Sequence, residues 1–282
     1  MSFVAACLQM RSTRSVERNI ADFEALAREA VAGGATFLQS PEMSNLVERS
    51  RADLFAKIST EDADPFLAAA RRLAKEHGVT IHLGSLAIRE GDKIANRGFL
   101  IGPDGGIVAR YDKLHLFDVD LPNGESWRES ATYTAGACAV VAPVGDAMLG
   151  MGICYDLRFP YLFRAMAEAG ADMLSAPACF TKQTGEAHWV VLQRARAIET
   201  GSFMISAAQG GTHEDGRETF GHSIIIDPWG RVLAEADDQP GVILAEVDLA
   251  KVADARSRIP TMKHTRAISV NVIGGRNREA AE

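Results

Sequence analysis

A glycine turn, a short apolar run and a proline make up GATFLQSP (residues 34–41). A comparable stretch, GADMLSAP (residues 170–177), occurs in the second half of the chain. Helical periodicity precedes the glycine in both places, and a short apolar run bounded by turn residues is typical of a buried strand. The recurrence therefore predicts that the chain contains two related halves.

The segments around these stretches have the patterns of helices and strands. Residues 15–31 have apolar positions at helical spacing. A second helix is predicted to begin at DADP (62–65), with the proline near its first turn, and to end at Gly78. Residues 79–88 then have the composition of a strand, and residues 161–169 are predicted to be helical.

Two hairpins complete the repeat, one over residues 94–111 around GPDGG and one over residues 223–234 around PWG. Helices, strands and hairpins in this order indicate two mixed sheets, each of which needs both faces covered. We therefore expect a mixed α/β (α+β) fold, a four-layer α-β-β-α sandwich of two mixed sheets with an internal pseudo-two-fold repeat. No low-complexity linker interrupts residues 1–282, which we interpret as a single domain.

The composition is that of a globular protein and argues against some partners. Of 282 residues, 47% are hydrophobic and 24% are charged, and the formal net charge is -7. Scattered Lys and Arg on an acidic chain form no basic patch, so we expect no nucleic-acid partner. No run approaches the ~18 apolar residues of a membrane span, so we expect no membrane partner. The N-terminal MSFVAACLQM is predicted to be a strand and not a signal peptide, which favours a cytoplasmic location.

The four cysteines, Cys7, Cys138, Cys154 and Cys179, are widely spaced and form no CxxC pair. This spacing argues against a disulfide framework and a structural zinc site. The histidines show no ligand spacing either, so we expect no metal, and nothing in the sequence implies a cofactor. Cys7, Cys138 and Cys179 lie among Ala, Val or Pro and are interpreted as small core residues.

Cys154 differs from the others, because it lies in GICYDLRFP (152–160) directly after the apolar run AMLGM (147–151). A cysteine where a core strand opens into a loop has rigid support behind it and access in front, which suits a nucleophile. A nearby cation, and a helix predicted to begin at about Phe159, would both favour the thiolate. Taken alone, Cys154 could also be a small hydrophobic core residue with no part in catalysis, and this alternative stays open.

Two charged residues, Glu42 and Lys113, have contexts that suit catalysis. In a pocket, Glu42 could take the thiol proton, protonate the leaving amine and activate water, and partial burial would raise its pKa. Lys113 has apolar and aromatic neighbours, so its ammonium is expected to need Glu42 or Glu129 as a partner. With the Tyr155 N–H it could stabilise an oxyanion. Taken singly, Glu42 could be a solvated loop residue and Lys113 an exposed lysine, and both alternatives stay open.

Glu42, Lys113 and Cys154, in this order and in these contexts, resemble the pattern of the nitrilase superfamily of carbon–nitrogen hydrolases. KLHLFDVD (113–120) and CYDLRFP (154–160) are most similar to the branch that includes the deaminated-glutathione amidases and omega-amidases. The resemblance implies the four-layer sandwich fold. It also implies that Glu129 helps to position the lysine and the substrate, and that the protein is a homo-oligomer, commonly a dimer.

We therefore expect cysteine-dependent hydrolysis of a small amide through a thioester acyl-enzyme, with release of ammonia or an amine. The resemblance implies an amide with a carboxylate away from the scissile bond, and such an anion needs a cation separate from Lys113. Arg158 is the candidate, because a guanidinium fork suits a carboxylate. Lys182, beside Thr181, is the reserve. Arg158 could instead pair with Asp156 or a helix end.

Other functions stay open at this point. The same site could act on an N-carbamoyl compound or a nitrile, or the chain could be a catalytically silent relative that serves as a binding module. His115 or His188 could also indicate a Cys-His hydrolase. The complete Glu-Lys-Cys set argues against silence, and it needs neither histidine.

Overall fold

The computed structural model of the chain describes residues 1–121, 124, 126–271 and 273, so the last residues of the interpreted domain (272 and 274–282) lie outside the described part. The helices are α1 (Val16–Ala32), α2 (Arg51–Lys57), α3 (Pro65–His77), α4 (Pro160–Glu168), α5 (Lys182–Thr200) and α6 (Ala250–Arg258). The strands are β1 (Ser2–Gln9), β2 (Phe37–Ser40), β3 (Thr80–Glu90), β4 (Lys93–Ile101), β5 (Ile107–Asp112), β6 (Asp118–Asp120), β7 (Ser126–Arg128), β8 (Tyr133–Thr134), β9 (Val140–Val144), β10 (Ala147–Met151), β11 (Met173–Ser175), β12 (Phe203–Ser206), β13 (Gly210–Thr212), β14 (Glu218–Phe220), β15 (Ile224–Ile226), β16 (Val232–Glu235) and β17 (Gly241–Asp248). Short 3₁₀ helices cover Glu61–Ala63, Glu129–Ala131 and Cys154–Arg158.

The helices of the first half begin and end at residues suited to these positions. Ser15 caps α1, because its side chain accepts a hydrogen bond from the Arg18 N–H. Asp64 caps α3 in the same way through the Leu67 N–H, and Gly78 ends that helix in the left-handed conformation, with a φ of 64°. Both helices predicted for this half are confirmed.

Two mixed sheets form the centre of the molecule. The first has the order β17-β1-β2-β3-β4-β5, with β8 beside β4, and the second has the order β16-β15-β12-β11-β10-β9. Read from β17 and from β9, both sheets pair in the same series: antiparallel, parallel, parallel, antiparallel, antiparallel. The expected mixed α/β fold with an internal repeat is therefore confirmed.

Each half is followed by a strand that crosses to the other sheet. β9 follows the first half in sequence but pairs with β10, and β17 follows the second half but pairs with β1. The sequence analysis did not predict this exchange, because the choice of a distant partner strand leaves no local pattern in the sequence.

Alternate residues of β1 show how the layers pack. Ala5 and Cys7 lie in a hydrophobic cluster with Met151 of the second sheet. Ala6 and Leu8 lie in another cluster, with residues of α1 and α3. Because successive side chains of a strand point to opposite faces, the first sheet contacts the second sheet on one face and these helices on the other. α4 and α5 pack on the second sheet, which completes the α-β-β-α order.

The two repeated stretches meet at Gly84 of β3. A Cβ added there would lie 2.3 Å from the Ser40 carbonyl oxygen, 2.7 Å from the Pro41 carbonyl carbon and 2.5 Å from Pro177 Cβ. Glycine is therefore required for the close approach of the two halves at this point. The contact places Glu42, the residue after Pro41, beside the chain that follows the second stretch.

Candidate active site

Glu42, Lys113 and Cys154 line one cavity of ≈ 410 Å³. Glu42 follows β2 and Lys113 follows β5, both in the first sheet, whereas Cys154 begins the 3₁₀ helix after β10 of the second sheet. The cavity is therefore built from both halves of the repeat, and its volume suits a small molecule. The three residues selected from the sequence are brought together here.

Lys113 lies at the centre of a buried ionic cluster. Its Nζ is 2.9 Å from Glu42 Oε1 and 2.9 Å from Glu129 Oε2. Asn96 donates from Nδ2 to both carboxylates, at 2.9 Å to Glu42 and 3.1 Å to Glu129. The Phe117 N–H donates to Glu129 Oε2 at 2.6 Å and fixes its orientation. Both expected carboxylate partners of Lys113 are thus in contact with it.

Lys113 stays charged although only 2% of its surface is exposed. Burial lowers the pKa of the ammonium, but attraction to Glu129, Glu42 and Cys154 outweighs burial and raises this pKa well above its ordinary value. A permanent cation next to a thiol can stabilise negative charge that develops on a substrate oxygen.

Glu42 has different partners on its two carboxylate oxygens. Oε1 accepts hydrogen bonds from Lys113 and Asn96, and Oε2 accepts one from the Cys179 N–H at 2.7 Å. The Cys154 thiol also interacts electrostatically with this carboxylate. Burial raises the pKa of Glu42, but the Lys113 charge and these hydrogen bonds outweigh it, so the pKa lies below its ordinary value. The expected rise is therefore wrong, because it took account of burial without these partners.

Cys154 is buried and has a constrained backbone. Its φ is 48°, in the left-handed region that residues other than glycine seldom adopt, and its N–H donates to the Pro177 carbonyl oxygen at 3.0 Å. Burial and the charge of Glu42 raise the pKa of the thiol well above its ordinary value, and Lys113 offsets only part of this rise. The cation that was expected to favour the thiolate is present, but burial and Glu42 outweigh its effect on the pKa of the thiol. α4 also begins only at Pro160, beyond the 3₁₀ helix that contains the cysteine.

Asp156 ties the cysteine loop to the lysine loop. Its buried carboxylate accepts hydrogen bonds from the Ile153 N–H at 2.9 Å, the Tyr111 hydroxyl at 2.7 Å and the His115 N–H at 3.0 Å. Ile153 precedes the cysteine, and Tyr111 and His115 flank the lysine, so one carboxylate fixes both loops. The alternative ion pair between Arg158 and Asp156 does not occur among the described residues.

Of the residues proposed to bind a substrate carboxylate, two line the cavity and one does not. Arg158 and Thr181 line the cavity, and the Arg158 guanidinium lies 5.2 Å from the ring centroid of Phe180. Lys182 is not among the lining residues. Its Nζ is 3.9 Å from a Glu218 carboxylate oxygen, and both side chains are exposed. This position does not favour Lys182 as the reserve cation, because its charge is directed to an exposed partner.

Tyr155, the residue after the cysteine, also lines the cavity. Its N–H belongs to the first turn of the 3₁₀ helix, where the backbone donors have no acceptor within the helix. Its ring packs edge-on against Phe117 and Phe159. The backbone at Tyr155 is therefore held in place on both sides and retains a donor near the nucleophile.

The other histidines and cysteines have separate environments. Neither His115 nor His188 is among the lining residues, so the described part of the chain gives the Cys-His alternative no geometric support. Cys7 is buried, as expected of a core residue. Cys138 is exposed, so its interpretation as a core residue is wrong: it precedes β9 and contributes to neither sheet. Cys179 is buried, as expected, but it also lines the cavity.

Several polar groups of the site were missed in the sequence. Asn96 lies within β4 and is buried between two carboxylates, and a polar residue inside an apolar strand could have indicated this role. The Cys179 N–H is a backbone donor, which no side-chain pattern indicates. Arg49 and Arg217 also line the cavity, and they lie in loops without a recognisable motif.

The arrangement is suited to nucleophilic acyl transfer. A buried thiol contacts a carboxylate that can take and return its proton, and a fixed ammonium lies beside both. Within the described residues, no group of three or more His, Cys, Asp or Glu is arranged to hold a metal ion.

Comparison with known proteins gives the family. Residues 4–257 match the family model for carbon-nitrogen hydrolases. The chain is 39% identical over 271 residues to a deaminated glutathione amidase of Synechocystis sp., which covers 93% of this chain and 97% of that one. It is 38% identical over 273 residues to a deaminated glutathione amidase of Rattus norvegicus, with coverages of 94% and 83%. The solved structure of the C. elegans NitFhit protein superposes with a TM-score of 0.87 at 32% identity, over 94% of this chain and 65% of that one.

The chain therefore belongs to the carbon–nitrogen hydrolase family, and its fold is that of the nitrilase superfamily. It is a carbon–nitrogen hydrolase that acts on non-peptide bonds. This leaves the binding-module alternative without support. In the part of the chain that the structure describes, no helix is long and apolar enough to span a membrane.

Proposed function

We propose that the chain hydrolyses a small, carboxylated amide through a thioester on Cys154, with release of ammonia or an amine. The observation that carries the proposal is the buried contact of Glu42 with both Lys113 and the Cys154 thiol in one cavity. The relatives named deaminated glutathione amidases support an amide as the substrate. Deaminated glutathione is therefore the first compound to test.

In the first half of the reaction, the Cys154 sulfur attacks the amide carbonyl carbon while Glu42 takes the thiol proton. The lowered pKa of Glu42 and the raised pKa of Cys154 keep the proton on sulfur until a substrate is present. Transfer becomes favourable as negative charge moves to the carbonyl oxygen, where Lys113 and the Tyr155 N–H stabilise it. Glu42 then gives the proton to the leaving nitrogen as the C–N bond breaks.

In the second half, a water molecule attacks the thioester and Glu42 takes its proton. The C–S bond breaks, the carboxylic acid product leaves and the proton returns to the Cys154 sulfur. Glu129 and Asn96 are positioning residues in this scheme, because they hold Lys113 and Glu42 in place.

Arg158 is the proposed anchor for the substrate carboxylate, with Thr181 beside it on the cavity wall. A guanidinium fork holds a carboxylate in a way that lysine replaces poorly. Arg158→Lys should therefore raise KM for a carboxylated amide and change KM little for its neutral analogue. An equal change for both compounds, with a lower melting temperature, would remove Arg158 from the substrate site.

A panel of small compounds tests the proposed reaction. Release of ammonia or amine is measured for neutral amides, carboxylated amides, nitriles and N-carbamoyl compounds, with the Cys154→Ala variant as the blank. We expect the highest kcat/KM for a carboxylated amide. A higher value for a nitrile or an N-carbamoyl compound would replace the proposed substrate class by that one.

We also propose a homo-oligomer and a cytoplasmic location. Exposed apolar side chains on α4 and α5 support association, among them Tyr161, Val191 and Ile198. Light scattering at micromolar concentration should give at least twice the monomer mass, and a monomer there would contradict the oligomer. Cell fractionation checks the location.

A further inference from the structure

A second cationic surface lines the cavity, and the mechanism above does not use it. Arg217 and Arg49 both lie over the ring of Trp127, with their guanidinium carbons 4.5 Å and 5.1 Å from its centroid. All three residues line the cavity, and we call them the tryptophan wall. Arg158 lies over a different ring, that of Phe180. The cavity therefore presents guanidinium groups at two separate places.

No carboxylate of the described residues forms an ion pair with Arg217. Its Nη1 donates to Cys179 Sγ at 3.5 Å, a weak acceptor, and its buried Nε has no hydrogen-bond partner among the described residues. Asp215 favours the charged form, but no described carboxylate lies within 4.0 Å of the guanidinium. Buried charges are otherwise paired, and a buried donor without a partner is expected to meet a ligand or water.

Arg49 adds a second positive charge at the same ring. It is exposed, so it lies nearer the solvent than Arg217, and it also has no described carboxylate within 4.0 Å. Two guanidinium groups on one ring repel each other, and an anion that lies near both offsets this repulsion. Their forked N–H donors match the two oxygens of a carboxylate.

We propose that the tryptophan wall is an anion-binding subsite distinct from Arg158, and that the preferred substrates are amides with two carboxylates. This inference rests on the proposed function, because it assigns the second end of the same substrate. One carboxylate binds at Arg158 and the other binds at Arg217 and Arg49. Two anchored ends hold the scissile bond in a fixed orientation beside Cys154, which favours attack.

Four secondary amides of equal length test the two subsites separately. N-Ethylpentanamide is neutral, N-pentanoylglycine has a carboxylate on the amine side, N-ethylglutaramate has one on the acyl side, and N-glutarylglycine has both. Each carboxylate replaces a methyl group, so shape changes little within the set. kcat/KM is measured for the wild type and for the Arg217→Gln, Arg49→Gln and Arg158→Gln variants. Arg231→Gln, at an exposed position outside the cavity lining, is the matched control.

The wild type should have its highest kcat/KM with N-glutarylglycine. Arg217→Gln should lower the gain in kcat/KM that one of the two carboxylates provides by about 10- to 100-fold, the range of a hydrogen bond to a charged group. Arg158→Gln should remove the advantage of the other carboxylate. Arg49→Gln should act on the same carboxylate as Arg217→Gln but less strongly, since Arg49 is exposed. Arg231→Gln should leave all four values unchanged.

Two kinetic results would overturn the subsite. Arg217→Gln could slow all four amides equally, which would make Arg217 a support for Trp127 or Cys179. Arg217→Gln and Arg158→Gln could also act on the same carboxylate, which would leave one subsite. If the wild type cleaves none of the four amides, the proposed function fails for this class. Calorimetric binding of the same amides to Cys154→Ala then tests the subsite by itself, and equal affinities for all four would exclude it.

Discussion

Glu42→Gln separates proton transfer from the other contacts of Glu42, because glutamine has nearly the same size. In the structure, Glu42 Oε1 accepts from Lys113 Nζ and Asn96 Nδ2, each at 2.9 Å, and Oε2 accepts from the Cys179 N–H at 2.7 Å. Glutamine provides one oxygen and one NH₂ group. Whichever way the amide is turned, its NH₂ group therefore faces at least one donor.

Two magnitudes follow from this geometry. Loss of general acid–base catalysis should slow turnover by ~10²–10⁴-fold, which raises the activation barrier by about 3–5 kcal/mol. One buried donor left without an acceptor should cost ~1–3 kcal/mol of stability. The variant should therefore fold with a melting temperature a few degrees lower, while its activity falls far more than its stability does.

The assay is amine release from the best substrate of the panel, with thermal melting measured on the same samples. Glu61→Gln is the control, because Glu61 also pairs with two cations, Arg97 and Arg110, but lies outside the cavity lining. It should lower the melting temperature and keep turnover. A loss of turnover below about tenfold in Glu42→Gln, smaller than general acid–base catalysis contributes, would refute the role of Glu42.

Other predictions follow from the same contacts. Lys113→Ala should be at least as damaging to turnover as Glu42→Gln, and should lower stability by ~3–5 kcal/mol, because Glu42 and Glu129 lose their cation; chemical denaturation measures the stability. The pKa of the Cys154 thiol, followed by thiolate absorbance, should fall in Glu42→Gln and rise in Lys113→Ala, because these charges act on it with opposite sign. A change in the same direction for both variants would contradict this electrostatic account. In the wild type, kcat/KM should stay level from below pH 4.5 to above pH 9.0 over the range in which the protein stays folded, since the pKa of Glu42 lies below the first value and that of Cys154 above the second. A rise or fall of kcat/KM within this pH range would show that another protonation state is active. Iodoacetamide should first modify Cys138, which is exposed, without loss of activity, and peptide mapping of a time course checks the order. Inactivation that precedes modification of Cys138 would show that Cys154 is more reactive than its burial predicts.

Much of the fold could be predicted from the sequence because its signals are local. Helix ends marked by Ser15, Asp64 and Gly78, and the glycine and proline that bound each repeated stretch, lie within a few residues of the elements that they delimit. The exchange of β9 and β17 between the sheets could not be predicted in this way. It depends on which distant strand offers a free edge, and that is decided by the packing of the whole chain.

The three central site residues could be selected because each follows a strand, where a side chain can point into a cavity. The directions of two pKa shifts could not be predicted. The pKa of Glu42 depends on burial, on Lys113 and on the Cys179 N–H, and these groups meet only after both halves have folded. The same holds for Arg217: that no carboxylate of the described part of the chain pairs with it follows from the folded cavity and not from any motif.

The central claim is that Cys154 carries the acyl group of the substrate during turnover. It is tested most directly by rapid acid quenching of the protein with N-glutarylglycine or deaminated glutathione, followed by mass spectrometry of the peptide that contains Cys154. We predict that this peptide gains the mass of the acyl group and loses it on treatment with hydroxylamine, and that the Cys154→Ala variant shows neither adduct nor turnover. An acyl group on another residue, or amine release by Cys154→Ala at a rate near that of the wild type, would contradict the claim.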